Sequence, residues 1–235
     1  MTSLSISFPA YNEADNIGAA IEDAVRVAGE ITDDFEVIVV NDGSADHTGD
    51  VVLEYAARYP QVRLVQHEVN QGYGAAVFDG LVAGTKEWAF FTDSDLQFVL
   101  DDLKSLWALR DQADLIIGYR APRRDSFVRK FNGFGWTWLT NVLFGYVSRD
   151  VDCAFKLMRR DVVNTVAPHV MSRGATLSAE FLVRAKKTGF AFKEAPVTHR
   201  PRVAGSQTGA KLSVILRAFR EMFLFRLQMW RGQNR

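Results

Sequence analysis

The sequence predicts an α/β protein built on a mostly parallel sheet flanked by helices. Three observations carry that expectation. Short apolar runs rich in Val, Ile and Phe alternate with longer amphipathic runs through the first half of the chain. The short runs are apolar on nearly every residue, the signature of strands covered on both faces, and the intervening runs supply the cover. At 235 residues, with 48% hydrophobic and 24% charged side chains, the chain can bury a real core as one ordinary globular domain.

Taken in order, strands are expected over 3–8, 35–40, 62–66, 88–92 and 114–119, each too short for a helix and rich in β-formers. Helical patterns fill 13–29, 46–59, 74–84 and 101–110. The second half is less regular. Residues 120–150 interleave Arg120, Arg123, Arg124, Arg129 and Lys130 with seven aromatic residues. A strand follows over 152–158, a helix over 178–188 and a strand over 190–198. Residues 211–230 form an amphipathic helix, with Leu212, Ile215, Leu216, Phe219, Met222 and Phe223 on one stripe. The expected organisation is one domain over 1–210 and a C-terminal amphipathic helical extension over 211–235.

Net charge is zero, but unevenly spread. Residues 1–115 carry 6 Lys/Arg against 21 Asp/Glu, and residues 116–235 carry 22 against 7. Such a split suits a protein that holds a cation with one part and meets phosphates or a lipid surface with another. The single cysteine, Cys153, excludes an intramolecular disulfide. The first residues lack a signal-peptide pattern, and no run of about 18 apolar residues marks a membrane span. A cytoplasmic location follows as the expectation. Nucleic-acid binding is disfavoured, because no recognised module accompanies the basic residues.

In parallel sheets ligands bind beyond the carboxyl ends of the strands, so those positions are the ones to inspect. They read Pro9-Ala10-Tyr11-Asn12-Glu13, Asn41-Asp42-Gly43-Ser44, Asn70-Gln71-Gly72-Tyr73-Gly74, Asp93-Ser94-Asp95-Leu96-Gln97 and Gly118-Tyr119-Arg120. Asp93, Asp95 and Gln97 offer hard oxygen ligands for Mg2+ or Mn2+, with substrate phosphates completing the shell. Arg120, and Arg129 beyond it, would neutralise phosphate oxygens. A second Asp-x-Asp, Asp150 and Asp152, precedes its strand and is set aside on that ground.

These segments, in this order, resemble glycosyltransferase family 2, and within it the polyprenyl-phosphate glycosyltransferases such as dolichol-phosphate mannose synthases. The likeness continues through Asp152-Cys153-Ala154-Phe155-Lys156 and Glu194-Ala195-Pro196 to Arg202 and Lys211. It implies a GT-A fold, inversion at the anomeric carbon, and a nucleoside pocket lined by Pro9, Tyr11, Glu13, Val40 and Asp42. It also implies donor contacts from Ala10 and Ser94, a metal site at Asp93, Asp95 and Gln97, and phosphate contacts from Arg120, Arg202 and Lys211, with Arg200 able to share that role. The chain departs from the pattern in three places. Asn41 stands for the first of two aspartates, Lys211 is set further from Arg202, and Ala154-Phe155-Lys156 replaces Gly-Phe-Arg.

The resulting expectation is transfer of a hexose from a GDP-mannose or UDP-glucose type donor to a polyprenyl phosphate. A phosphate acceptor is already largely ionised at neutral pH, its second pKa being about 6, and needs no strong base. A hydroxyl acceptor is the alternative, with Asp152 or Glu180 as base. The non-enzyme alternative is a nucleotide-sugar-binding, membrane-associated module. The basic aromatic segment and the last helix suit peripheral contact at the inner face of the cytoplasmic membrane, or an interface with a second copy or a membrane subunit.

Overall fold

A computed structural model describes residues 2–121, 127–201, 212–230 and 232, with the backbone alone over 127–132 and 212–217. Among them seven strands form one sheet: β1 (Leu4–Ala10), β2 (Phe35–Asp42), β3 (Val62–His67), β4 (Trp88–Thr92), β5 (Leu115–Arg120), β6 (Phe155–Arg159) and β7 (Phe192–Val197). Their order is β3-β2-β1-β4-β6-β5-β7. Every pairing is parallel except those of β6, which runs antiparallel to both β4 and β5. Every residue of β1, β2 and β4 is buried, because helices cover both faces.

The helices are α1 (Ala14–Ile31), α2 (Thr48–Arg58), α3 (Tyr73–Ala83), α4 (Leu103–Trp107), α5 (Phe127–Phe144), α6 (Arg160–Val166), α7 (Leu177–Lys187) and α8 (Leu212–Trp230). In α1 the buried residues Ile17, Ile21, Ala24 and Ala28 recur every three or four positions. That stripe seals one face of the sheet together with Val52 of α2 and Leu103 and Leu106 of α4. The opposite face is sealed by Val77 and Leu81 of α3, Val162 and Val166 of α6, Leu182 of α7, and Met222 and Phe225 of α8. The last helix thus contributes side chains to the same core as the helices before it.

Two elements differ from the sequence expectation. Residues 127–144 form the helix α5, and 160–166 form α6. Gly133 and Gly135 hide α5, each costing a helix interior about 1 kcal/mol relative to alanine. Tertiary contacts override that cost: Trp136 meets Phe219 edge-on at 5.9 Å, and Phe144 lies 5.0 Å from Phe225.

Strand β1 is followed by β2 and β3 on one side, while β4 lies on its other side. The chain therefore reverses direction of growth between β1 and β4. Their carboxyl ends flank the crevice where such sheets take ligands.

Candidate active site

The loops beyond β1 and β2 are tied into one cradle. Asn12, in a left-handed conformation at φ 55°, accepts the Ala45 N–H at 2.8 Å, and its own N–H donates to the Ser44 hydroxyl at 3.0 Å. The Glu13 N–H donates to the Thr48 hydroxyl at 2.9 Å, and the Glu13 carboxylate accepts from Asn16 at 2.6 Å. Gly43 is at φ 66°, and a Cβ there would lie 2.5 Å from the backbone of Val69 and Asn70, so only glycine lets these loops touch. Pro9 and Ala10 are enclosed at the end of β1, and Tyr11 stands exposed beside them.

Asp42 is enclosed too. Its carboxylate accepts the N–H groups of Gln71 and Gly72, each at 2.8 Å, and meets His67 Nδ1 at 2.8 Å. It pins the loop after β3 to the end of β2. Val40 lies one residue before the polar end of β2. Its side chain is fully buried with Ile38 and Ala76 beneath α3, so any contact of Val40 with a nucleoside would come from its backbone.

At the end of β4 the Ser94 hydroxyl donates to the Pro9 carbonyl at 2.9 Å, joining the two strands where they part. The acidic loop then turns through Leu96 at φ 58°, with the Gln97 N–H on Asp95 Oδ1 at 3.1 Å. Gln97 Nε2 donates to the Arg200 carbonyl at 3.0 Å, and the Arg200 N–H donates to the Gln97 carbonyl at 2.7 Å. Arg200 therefore braces the loop with its backbone.

Burial, then the charge of Asp95, push the Asp93 carboxyl up to about 7 against the opposing pulls of Tyr73, Arg120 and Lys156. Two carboxylates that resist sharing negative charge mark a place where a divalent cation fits. Among the described residues no three His, Cys, Asp or Glu side chains gather into a metal cage. The candidate donors at this loop are the two carboxylates and the Gln97 amide oxygen, a set whose chemistry would suit Mg2+ or Mn2+ with ligand phosphates supplying the remainder.

Sequence reasoning missed two residues here. Tyr73, at the start of α3, donates its hydroxyl to Asp93 Oδ1 at 2.8 Å. Desolvation of that hydroxyl and the charge of Asp93 hold the phenol well above its usual pKa, so it remains a donor. Asp150 was set aside because it precedes its strand. Since β6 is antiparallel, the residues before it arrive at the same edge as the ends of β4 and β5. There Asp150 accepts from Arg120 Nε at 2.7 Å and Nη2 at 2.6 Å, a forked and nearly buried ion pair. The Asp150/Asp152 pair was visible in the sequence; the direction of β6 was not.

The remaining candidates divide clearly. Glu180 accepts the N–H groups of Met171 and Ser172 and the guanidinium of Arg184, so its carboxylate is occupied in holding that loop. Asp152 is exposed next to the ion pair. The Arg129 side chain, Arg202 and Lys211 lie outside the described residues.

Residues 5–166 match the model of glycosyl transferase family 2. A dolichyl-phosphate beta-glucosyltransferase of Trichomonas vaginalis is 31% identical over 207 residues, covering 80% of this chain and 61% of that one. A second from the same organism is 31% identical over 209 residues, covering 83% and 64%. The chain thus spans less than two thirds of the length of either relative. Among solved structures, glucosyl-3-phosphoglycerate synthase from Mycobacterium tuberculosis, in complex with Mn2+, uridine diphosphate and phosphoglyceric acid, superimposes with a TM-score of 0.71. Identity is 17%, over 97% of this chain and 78% of that one. That likeness concerns the fold, a mostly parallel sheet of the GT-A type.

Proposed function

This chain belongs to glycosyl transferase family 2, and on that premise we propose that it transfers glucose, with inversion, from UDP-glucose to a polyprenyl phosphate. The observation that carries the reading is the pair Asp93 and Asp95, held in mutual repulsion at the crevice between β1 and β4. A site built around a cation and an anionic ligand has use for that arrangement. Glucose and uridine are preferred to mannose and guanosine because the related proteins are named as glucosyltransferases and the structural neighbour holds uridine diphosphate.

Each residue then has a task. Tyr11, Glu13 and the Asn12–Ser44 cradle receive the nucleoside, with Asp42 fixing the loop that faces them. Asp93, Asp95 and Gln97 hold the divalent ion, which when bound stabilises the charge developing on the leaving diphosphate. Arg120, Arg200, Arg202 and Lys211 are the cations assigned to donor and acceptor phosphates, Arg120 oriented by Asp150. The acceptor phosphate oxygen attacks the anomeric carbon from the face opposite the diphosphate. Because that oxygen is already ionised, no protein base is required, which agrees with the occupied carboxylate of Glu180.

The lipid part of the acceptor suits the surface of α5 and α8. No helix among the described residues is long and apolar enough to cross a membrane. Yet Phe134, Trp138 and Val142 stand exposed at i, i+4 and i+8 on α5, and Phe219, Phe223 and Trp230 are exposed on α8. Such faces, on the basic half of the chain, are those of helices lying on an anionic membrane.

Purified protein offered UDP-glucose, GDP-mannose and UDP-N-acetylglucosamine with Mn2+ or Mg2+, with and without a short polyprenyl phosphate, tests the reading. Metal-dependent release of UDP from UDP-glucose, strongly raised by the lipid phosphate, is the expected result. Turnover undiminished by a chelator would overturn the cation site, and stimulation by a hydroxyl acceptor alone would overturn the phosphate acceptor.

A further inference from the structure

We propose that Tyr73 is the positioning residue of the cation site: its phenol holds one oxygen of Asp93 and thereby presents the other to the metal. The inference rests on the cation reading above and adds a residue to it. The backbone that carries the phenol is constrained on both sides. The Gln71 and Gly72 N–H groups, immediately before it, are clamped by the two oxygens of Asp42. Gly72 itself sits at φ 100°, a conformation that sets the direction in which α3 departs. On the far side, a Cβ on Gly74 would fall 2.3 Å from the Gly174 carbonyl, so α3 starts flush against that backbone. Tyr73 is thus held from before and behind while 50% of its surface remains exposed. A tyrosine there only to fill the core would be buried; this one spends its hydroxyl on Asp93 at 2.8 Å.

The chemistry is that of an outer partner orienting a metal-binding carboxylate. A carboxylate with one oxygen hydrogen-bonded has a fixed plane and one defined metal-facing lone pair, and losing such a partner costs about 10- to 100-fold in metal affinity. The hydroxyl is well suited, since a phenol, with an ordinary pKa of about 10, keeps its proton at neutral pH.

Tyr73→Phe removes the hydrogen bond and keeps the ring. Mn2+ affinity is read directly by electron paramagnetic resonance of the free ion, in the presence of UDP. The expected result is a Kd about 10- to 100-fold weaker, with UDP affinity in chelator and metal-free Tm unchanged, and transfer activity restored by excess Mn2+. A Kd within about twofold of the unsubstituted protein, or an equal loss of metal-free UDP affinity and Tm, would show that the phenol only occupies space. Should the unsubstituted protein itself fail to bind Mn2+ with UDP, the cation reading falls and takes this inference with it; that result is distinct from equal affinities in the two proteins.

Discussion

In the first half of the chain the strand-end loops bind one another. Asn12 joins Ser44 and Ala45, Asp42 joins Gln71 and Gly72, and Ser94 joins Pro9. In the second half, α5 and α8 leave large apolar side chains outside, among them Phe134, Trp138, Phe223 and Trp230. Charge is divided the same way, 21 acidic residues against 6 basic up to residue 115 and the reverse imbalance beyond. The first region is built for a small ligand, which needs polar groups fixed in advance. The second combines exposed apolar area with excess positive charge, the features on which the proposed lipid contact rests.

The strongest break in that comparison is on the acidic side. Asp95→Ala should lower metal-dependent transfer by about 10³-fold while leaving attachment to vesicles intact, measured as UDP release beside vesicle sedimentation. On the basic side, the double change Trp138→Ser with Phe223→Ser should weaken partition onto anionic vesicles by about 10²-fold, from the lost burial of two large side chains at about 1.5 kcal/mol each. Its Mn2+-dependent binding of UDP in solution should not change. Unaltered partition would mean that those faces meet protein instead of lipid.

The smallest effect sharpens the acidic side through pH. The folded Asp93 carboxyl titrates near 7, above its unfolded value of 3.8. Between those values the metal-free fold binds a proton that the unfolded chain has released, so its stability falls as pH rises towards 7. Mn2+ displaces that proton and removes the loss. The gain in Tm on adding Mn2+ should therefore widen by several degrees from about pH 5 to about pH 8. A gain that stays constant across that range would separate Asp93 from the ion.

Much of the donor side was legible because its strands are continuous apolar runs closed by polar loops. The readings for β1 to β5 fall within a few residues of the observed strands. Asp93, Asp95 and Gln97 lay where the parallel-sheet rule directs attention. What escaped depends on relations that no local pattern carries. The direction of β6 is set by its pairing with β4 and β5, and that direction alone brings Asp150 to Arg120. Tyr73 meets Asp93 across 20 residues of sequence. Val40 ends an apolar run next to polar residues, yet α3 covers it completely. Glycines within α5 masked a helix that packing against α8 supports.

The position of β7 has a consequence for what counts as the folding unit. The match to the family model stops at residue 166, but the sheet does not: β7 pairs with β5 along all of Leu115–Arg120, and the segment after it grips the acidic loop through Arg200 and Gln97. A fragment trimmed at the end of that match would open one long edge of β5 to solvent, a template for aggregation. The end of that match and the end of the sheet therefore fall in different places.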